Sequence, residues 1–358
     1  MKRHLKVLAA VAFIVIGAAA CSSFPTRPLW WPSSATAASP QPLACAKPLT
    51  QRGNFQAGIN VYWDNGTMSD RAVQRQSAAV IRYALSLHAN SIMISFPFFI
   101  SNPQSSTIHG IAQWTPGPRQ LGIFLAVARH CHVTVTVKPL LSETNLRPGW
   151  RGSINPSSPA AWFHSYERFI LPYLRVGQAN QSFAFVLGTE LNSLRPYHTY
   201  WSGLYRMAKT AYRGKLAYDG YGRKQPSLIW QVDLWPSLHV PPGASQRTID
   251  AAFRTRLHRA SSLRGVVISE LGMAAVPGAY AHPAQWFAIG APTRTGRVMQ
   301  ARWFIAACRA ALSLHVAGIY WWKISFSQLA SAQHGDQFSF YNTPAQHAVS
   351  ECFDGGLR

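Results

Sequence analysis

Eight short, apolar, β-rich runs alternate with helical patterns along the chain, and the alternation predicts an α/β fold, a single-domain (β/α)8 (TIM) barrel. A second observation agrees: the runs are nearly continuous in apolar residues, as expected of parallel strands buried on both faces. A third is that no GxGxxG or P-loop pattern follows the first run, which weakens the rival reading, an open doubly wound sheet. The runs are Ala57–Trp63, Ser91–Phe96, Val133–Lys138, Phe183–Leu187, Lys215–Tyr218, Leu228–Val232, Gly265–Ser269 and Gly318–Trp322. Helical patterns follow the first four near 69–88, 118–131, 159–176 and 197–212. The segment between the fifth and sixth runs is too short for a full helix, so that crossover should be irregular. The last three helices fall near 246–263, 297–314 and 343–352.

The barrel should occupy residues 53–353. Lys2, Arg3 and Lys6 precede the apolar stretch Val7 to Ala20, which ends Gly17-Ala18-Ala19-Ala20-Cys21. A charged start, a short apolar run and small residues before a cleavage point predict a signal peptide over residues 1–20. Cys21, followed by two serines, resembles a bacterial lipobox, so lipidation at Cys21 would anchor the chain in a membrane; Ala18 departs from that motif, and ordinary cleavage is the rival. Residues 21–52, with their Pro, Ser, Thr and Ala, read as a tether. The expected location is the cell envelope, as an exported lipoprotein, with secreted or periplasmic release as the alternative. Export permits disulfides among Cys45, Cys131, Cys308 and Cys352. A Cys45–Cys352 bridge would tie the ends of the domain together, but three pairings are open. Neither a CxxC pair nor a Cys/His cluster at zinc spacing occurs, so no structural metal is expected.

Of 358 residues, 48% are hydrophobic and 13% charged, which excludes a disordered chain. Gly and Pro are scattered without a period, which excludes a collagen-like one. Lys and Arg number 34 against 12 Asp and Glu, a formal charge of +22. Signal cleavage removes three cations and no anions, leaving +19. Such a charge favours adhesion to anionic envelope polymers or suits an acidic habitat. No helix-turn-helix, zinc finger or basic stripe accompanies it, so nucleic acid is not an expected partner.

The few carboxylates are placed tellingly. Asp64, Glu143, Glu190, Asp219, Asp233, Glu270 and Asp336 all lie just past the carboxyl ends of predicted strands, the catalytic face of such a barrel. Two apolar runs deliver glutamates: Phe183 to Leu187 leads to Glu190, and Val266 to Ser269 leads to Glu270. The fourth and seventh strands face each other across the barrel mouth, so the two carboxyls can converge on one bond. Retaining glycoside hydrolysis needs two such groups, about 5–5.5 Å apart. Trp63, Trp150, Trp235, Trp321 and Trp322 sit at or beyond strand ends. Their planes could stack on the C–H faces of sugar rings, with Lys138, Asn192 and Asp233 as polar partners.

At these residues the sequence resembles glycoside hydrolase family 113, a clan A (β/α)8 family that includes β-mannanases. The matching pieces are Lys138-Pro139, Trp150-Arg151-Gly152, Leu187-Gly188-Thr189-Glu190-Leu191, Ile268-Ser269-Glu270-Leu271-Gly272 and Gly318-Ile319-Tyr320-Trp321-Trp322. The resemblance implies Glu190 as acid/base and Glu270 as covalent nucleophile, without a cofactor. It implies Lys138, Trp150 and Asn192 along the sugar subsites and Trp321 or Trp322 as a floor. Many clan A enzymes carry a Tyr at the sixth strand end that hydrogen-bonds the nucleophile. Here that segment reads Val232-Asp233-Leu234-Trp235-Pro236, leaving Trp235 or Tyr218 as substitutes. The expected function is retaining hydrolysis of a β-linked, mannan-like polysaccharide. The alternatives are a non-catalytic carbohydrate-binding barrel and a processing hydrolase for the cell's own exopolysaccharide.

Overall fold

Strands and helices alternate as the apolar pattern requires. The computed structural model describes residue 45 and residues 54–220, 228–257, 261–284, 291–331 and 335–357. The predicted signal, Cys21 and almost all of the tether lie outside the described residues, as does the crossover at 221–227. Residues 43–358 form one compact unit.

The strands are β1 (Gln56–Tyr62), β2 (Ser91–Phe98), β3 (Thr134–Leu141), β4 (Ala184–Thr189), β5 (Lys215–Asp219), β6 (Ile229–Leu234), β7 (Val267–Leu271) and β8 (Gly318–Ser325). Each pairs in parallel with the next, and β8 pairs with β1, which closes the barrel. The helices are α1 (Asp70–Ser86), α2 (Pro118–His130), α3 (Pro159–Ala179), α4 (His198–Ala211), α5 (Gln246–Leu257), α6 (Arg294–Ser313), the short α7 (Gln328–Ser331) and α8 (Pro344–Asp354). Ser69, Ser158 and Thr293 cap α1, α3 and α6 by accepting a backbone N–H from the first turn. Among the described residues no helix is long and apolar enough to cross a membrane.

Two cores result. The larger lies between the outer faces of the strands and the helices. The smaller, Met93, Val267 and Tyr320, plugs the barrel interior. Gly58 makes room for that plug, since a Cβ there would stand 2.3 Å from the Tyr320 ring. Tyr320 also donates its hydroxyl to Gln56 Oε1 at 2.7 Å.

Three details depart from the sequence expectations. Strand β3 runs on to Leu141, so Lys138 is an interior strand residue and not a strand end. Asp219, Asp233 and Glu270 likewise sit within β5, β6 and β7. The disulfides join Cys45 to Cys131 and Cys308 to Cys352, so the bridge between the ends is not formed. Cys308 on α6 faces Cys352 on α8, and the bond staples the two helices together.

Candidate active site

Alternation along each strand decides which side chains enter the barrel. On β1, Gly58, Asn60 and Tyr62 point inward; on β3, Thr136, Lys138 and Leu140; on β8, Tyr320 and Trp322. A cavity of about 960 Å³ is lined by Tyr62, Leu140 and Trp322 from these inward sets, together with the loops above them. Glu190 and Glu270 both open onto it.

Neither glutamate reaches the cavity by regular strand geometry. Val267 belongs to the interior plug, so strict alternation would turn Glu270 toward the helices. The pairing of β7 with β6 shifts between Val232 and Asp233, and with β8 between Ile268 and Leu271. These irregularities set Glu270 beside Asp233 and re-aim it inward. At the end of β4, Glu190 adopts a left-handed backbone with φ of 54°. A side chain bears that conformation only when its surroundings hold it there. Here the Glu190 N–H donates to the Asp219 carbonyl at 3.0 Å, and the Glu190 carbonyl accepts from Asn192 N–H at 2.8 Å.

Each glutamate has its own cation. Arg151 Nη1 donates to Glu190 Oε2 at 3.3 Å, its Nη2 lies 3.2 Å from Glu143 Oε1, and its Nε donates to the Leu141 carbonyl at 3.1 Å. Lys138 Nζ donates to Glu270 Oε1 at 2.6 Å and also contacts Asp219 at 2.9 Å and Asp233 at 3.5 Å. Ser269 Oγ donates to Asp233 Oδ1 at 2.7 Å, and Asn60 Nδ2 donates to the Ser269 carbonyl at 2.8 Å. Glu143, Glu190, Asp219, Asp233 and Glu270 are all buried and share the cations of Lys138 and Arg151. Five carboxyls in so little water face only two cations, which disfavours full ionisation at Glu190, Asp219 and Glu270.

The causes differ among these three carboxyls and Lys138. Burial raises Glu190, Asp233 adds to the rise, and Arg151 and Lys138 oppose it. Burial raises Glu270 as well, reinforced by Asp233 and countered by Lys138. Asp219 is pushed up to about 7 by burial, against the pull of Lys138. Burial alone would lower Lys138, but Asp219, Asp233 and Glu270 outweigh it and hold the ammonium charged.

Aromatic walls flank the pair. Trp150, 39% exposed, stands on the loop after β3. Gly152 lets it fold down, since a Cβ there would lie 2.4 Å from the indole. On the other side Trp322 packs edge-on against Tyr62 and Trp235, and Trp235 against Phe338. Lys323 and Asp336, an ion pair, complete that rim.

The candidates from sequence therefore divide. Glu190, Glu270, Trp150, Trp235 and Trp322 line the cavity. Lys138 and Asp233 lie beneath it, fully buried in the ionic cluster. Trp63, Tyr218, Trp321 and Asn192 are not on its wall. Trp63 and Trp321 have the outward parity of β1 and β8 and stack on Phe326 and Phe304. Tyr218 turns away from Asp219 and stacks on Trp230. Asn192 starts the 3-10 turn Asn192–Leu194 and serves the backbone at Glu190. Tyr62 and Arg151 were not predicted. Alternation on β1 could have found Tyr62; Arg151 gave only its place beside Trp150. Among the described residues no group of three His, Cys, Asp or Glu side chains could hold a metal ion.

A closed (β/α)8 barrel with this mouth is shared by many enzymes, and the sequence decides among them. The family model of Glycoside Hydrolase Family 113 matches residues 63–343. The chain belongs to that family. It is a glycoside hydrolase, and the family match spans Glu190, Glu270 and both cations that hold them. Among solved structures, a GH113 β-1,4-mannanase superposes with a TM-score of 0.69 at 16% identity, covering 84% of this chain and 99% of that one. The GH113 β-mannanase AaManA from Alicyclobacillus acidocaldarius, in complex with ManMIm, gives 0.64 at 18% identity over 85% and 98%. At such identities the likeness bears on the fold. No curated protein matches the sequence.

Proposed function

We propose that this family 113 hydrolase is a retaining β-glycanase acting on a mannan-like polysaccharide, with Glu190 as acid/base and Glu270 as nucleophile. The observation that carries the reading is that both carboxyls open onto one cavity, each against its own cation. The Glu270 carboxylate attacks the anomeric carbon while Glu190 gives its proton to the departing glycosidic oxygen; the C–O bond breaks and a glycosyl ester forms on Glu270. Glu190, now a carboxylate, takes a proton from water as that water attacks the anomeric carbon and releases Glu270. Raised proton affinity at Glu190 suits the acid role, because a proton must be available at working pH. Trp150 on one side and Trp322 with Trp235 on the other offer planes for sugar rings on both sides of the reacting bond.

Mannan is favoured because the two solved family members above are described as mannanases. The test is hydrolysis of mannan, glucomannan, cellulose and xylan, with the parent run beside Glu190→Gln and Glu270→Gln. Mannan or glucomannan cleavage by the parent, lost in both variants, supports the reading. Cleavage of xylan or cellulose alone would refute the mannan assignment, and binding without any turnover would refute the two-glutamate mechanism.

We propose further that the enzyme works at the cell envelope, lipidated at Cys21. Its two disulfides suit an oxidising compartment. Mass spectrometry of the mature N-terminus checks this: a diacylglyceryl group on Cys21 is expected, and an unmodified N-terminus there would indicate ordinary cleavage.

A further inference from the structure

Lys138 is fully buried beneath the cavity, where the sequence suggests a sugar subsite. A lysine ammonium has three N–H donors. Lys138 donates to Glu270 at 2.6 Å and to Asp233 at 3.5 Å, and its ammonium forms an ion pair with Asp219 at 2.9 Å. Lys138 is fully buried and is not part of the cavity wall, so it lies out of reach of a sugar hydroxyl. Its shortest contact is to the one carboxyl of the three that opens onto the cavity. The other two are anchors. Asp233 is fixed by Ser269, and the backbone beside it by Asn60, while Asp219 lies entirely out of water.

We propose that Lys138 is the positioning residue of the nucleophile: clamped from below by Asp219 and Asp233, its ammonium orients Glu270 and favours the charged form that attacks. The inference rests on the reading of Glu270 as nucleophile. It also accounts for the end of β6, where Asp233 steadies a lysine from β3 that itself makes the hydrogen bond to Glu270. The charged groups facing Glu270 are Lys138 from β3, Asp233 from β6, Glu190 after β4 and Arg151 from the turn after β3. Asp233 and Glu190 disfavour its charge, and Lys138 and Arg151 favour it. Of these two, only Lys138 touches it. An opposite charge this close shifts a carboxyl by about 1–3 pH units.

The experiment is a 13C NMR titration of the Glu270 carboxyl in the parent, Lys138→Met and Lys138→Arg, with kcat and KM measured on each. Titration needs no turnover, so it judges Lys138 even if no polysaccharide is cleaved; failure of the glycanase reading would show instead as an inactive parent. Lys138→Met should raise the Glu270 midpoint by at least about one pH unit, moving the acidic limb of kcat/KM with it. Lys138→Arg keeps the charge but not the fit, so the midpoint should stay near that of the parent while kcat falls and KM holds. An unmoved midpoint in Lys138→Met overturns the proposal. Should that variant not fold, Asp219→Asn decides. It removes an anchor that touches Lys138 and is not among the groups facing Glu270. A fall in kcat of about tenfold with KM unchanged is expected, on the scale of lost supporting contacts; parental kcat refutes the clamp.

Discussion

The mouth of the barrel and its outer ring of helices treat charge in opposite ways. At the mouth, five buried carboxyls crowd around Lys138 and Arg151. On the ring, arginine dominates: Arg71, Arg75 and Arg82 are exposed on α1, and Arg247, Arg254 and Arg256 on α5. Among the described residues, the outer helices carry Asp70, Glu167, Asp250, Glu351 and Asp354, none of them buried. A carboxylate on the ring would cost little and would relieve the repulsion of so many cations. One at the mouth is costly to bury. The chain nevertheless buries five of its twelve carboxylates there, and that concentration marks the mouth as the place of chemistry.

The largest expected effect breaks the mouth itself. Glu270→Gln and Glu190→Gln should each lower kcat/KM at least about a thousandfold on an unactivated substrate, with stability held or raised, because each removes a crowded charge. Hydrolysis assays and thermal melts on the same preparations check both halves.

Trp321 and Trp322 carry the same comparison within two residues of β8. Trp321 faces the helices and stacks on Phe304 at 4.4 Å, so Trp321→Ala should cost about 3–5 kcal/mol of stability. Trp322 faces the cavity, so Trp322→Ala should chiefly raise KM. Urea unfolding and steady-state kinetics separate the two. On the ring, replacing Cys308 and Cys352 by Ser should cost about 2–5 kcal/mol, read by the same unfolding curves.

A smaller effect follows from pH. Glu190, Asp219 and Glu270 all hold protons more tightly folded than unfolded. Their contribution is complete below the ordinary carboxylate range and is lost as pH rises, for Asp219 through about 7. The thermal midpoint should therefore fall between mildly acidic and neutral pH, and Asp219→Asn should flatten that fall. The smallest effect belongs to the solvated ring: Arg254→Glu with Arg256→Glu should change stability by no more than about 0.5 kcal/mol per site and leave hydrolysis intact, while weakening retention on an anionic column at low salt.

Much of this was legible in the sequence. Eight apolar runs predicted eight strands because burial on both faces leaves a continuous signal, and the rarity of carboxylates made Glu190 and Glu270 conspicuous. Parity was the neglected clue. Neighbouring strand residues face opposite ways, so Trp321 and Trp322 could not both meet a sugar, and Tyr62 had to enter where Trp63 left. Other features were not legible. The register shifts that turn Glu270 inward arise from pairing between strands distant in the chain, and no local pattern announces them. The Lys138 clamp likewise draws on β3, β5, β6 and β7 at once.

The central claim is that the paired glutamates of the mouth work by double displacement. Its most direct test is proton NMR of the first product released from a β-1,4-linked mannooligosaccharide, recorded before mutarotation. The β-anomer should appear first, since two inversions at the same carbon restore the configuration. An α-anomer appearing first would mean a single displacement by water and would contradict a covalent role for Glu270.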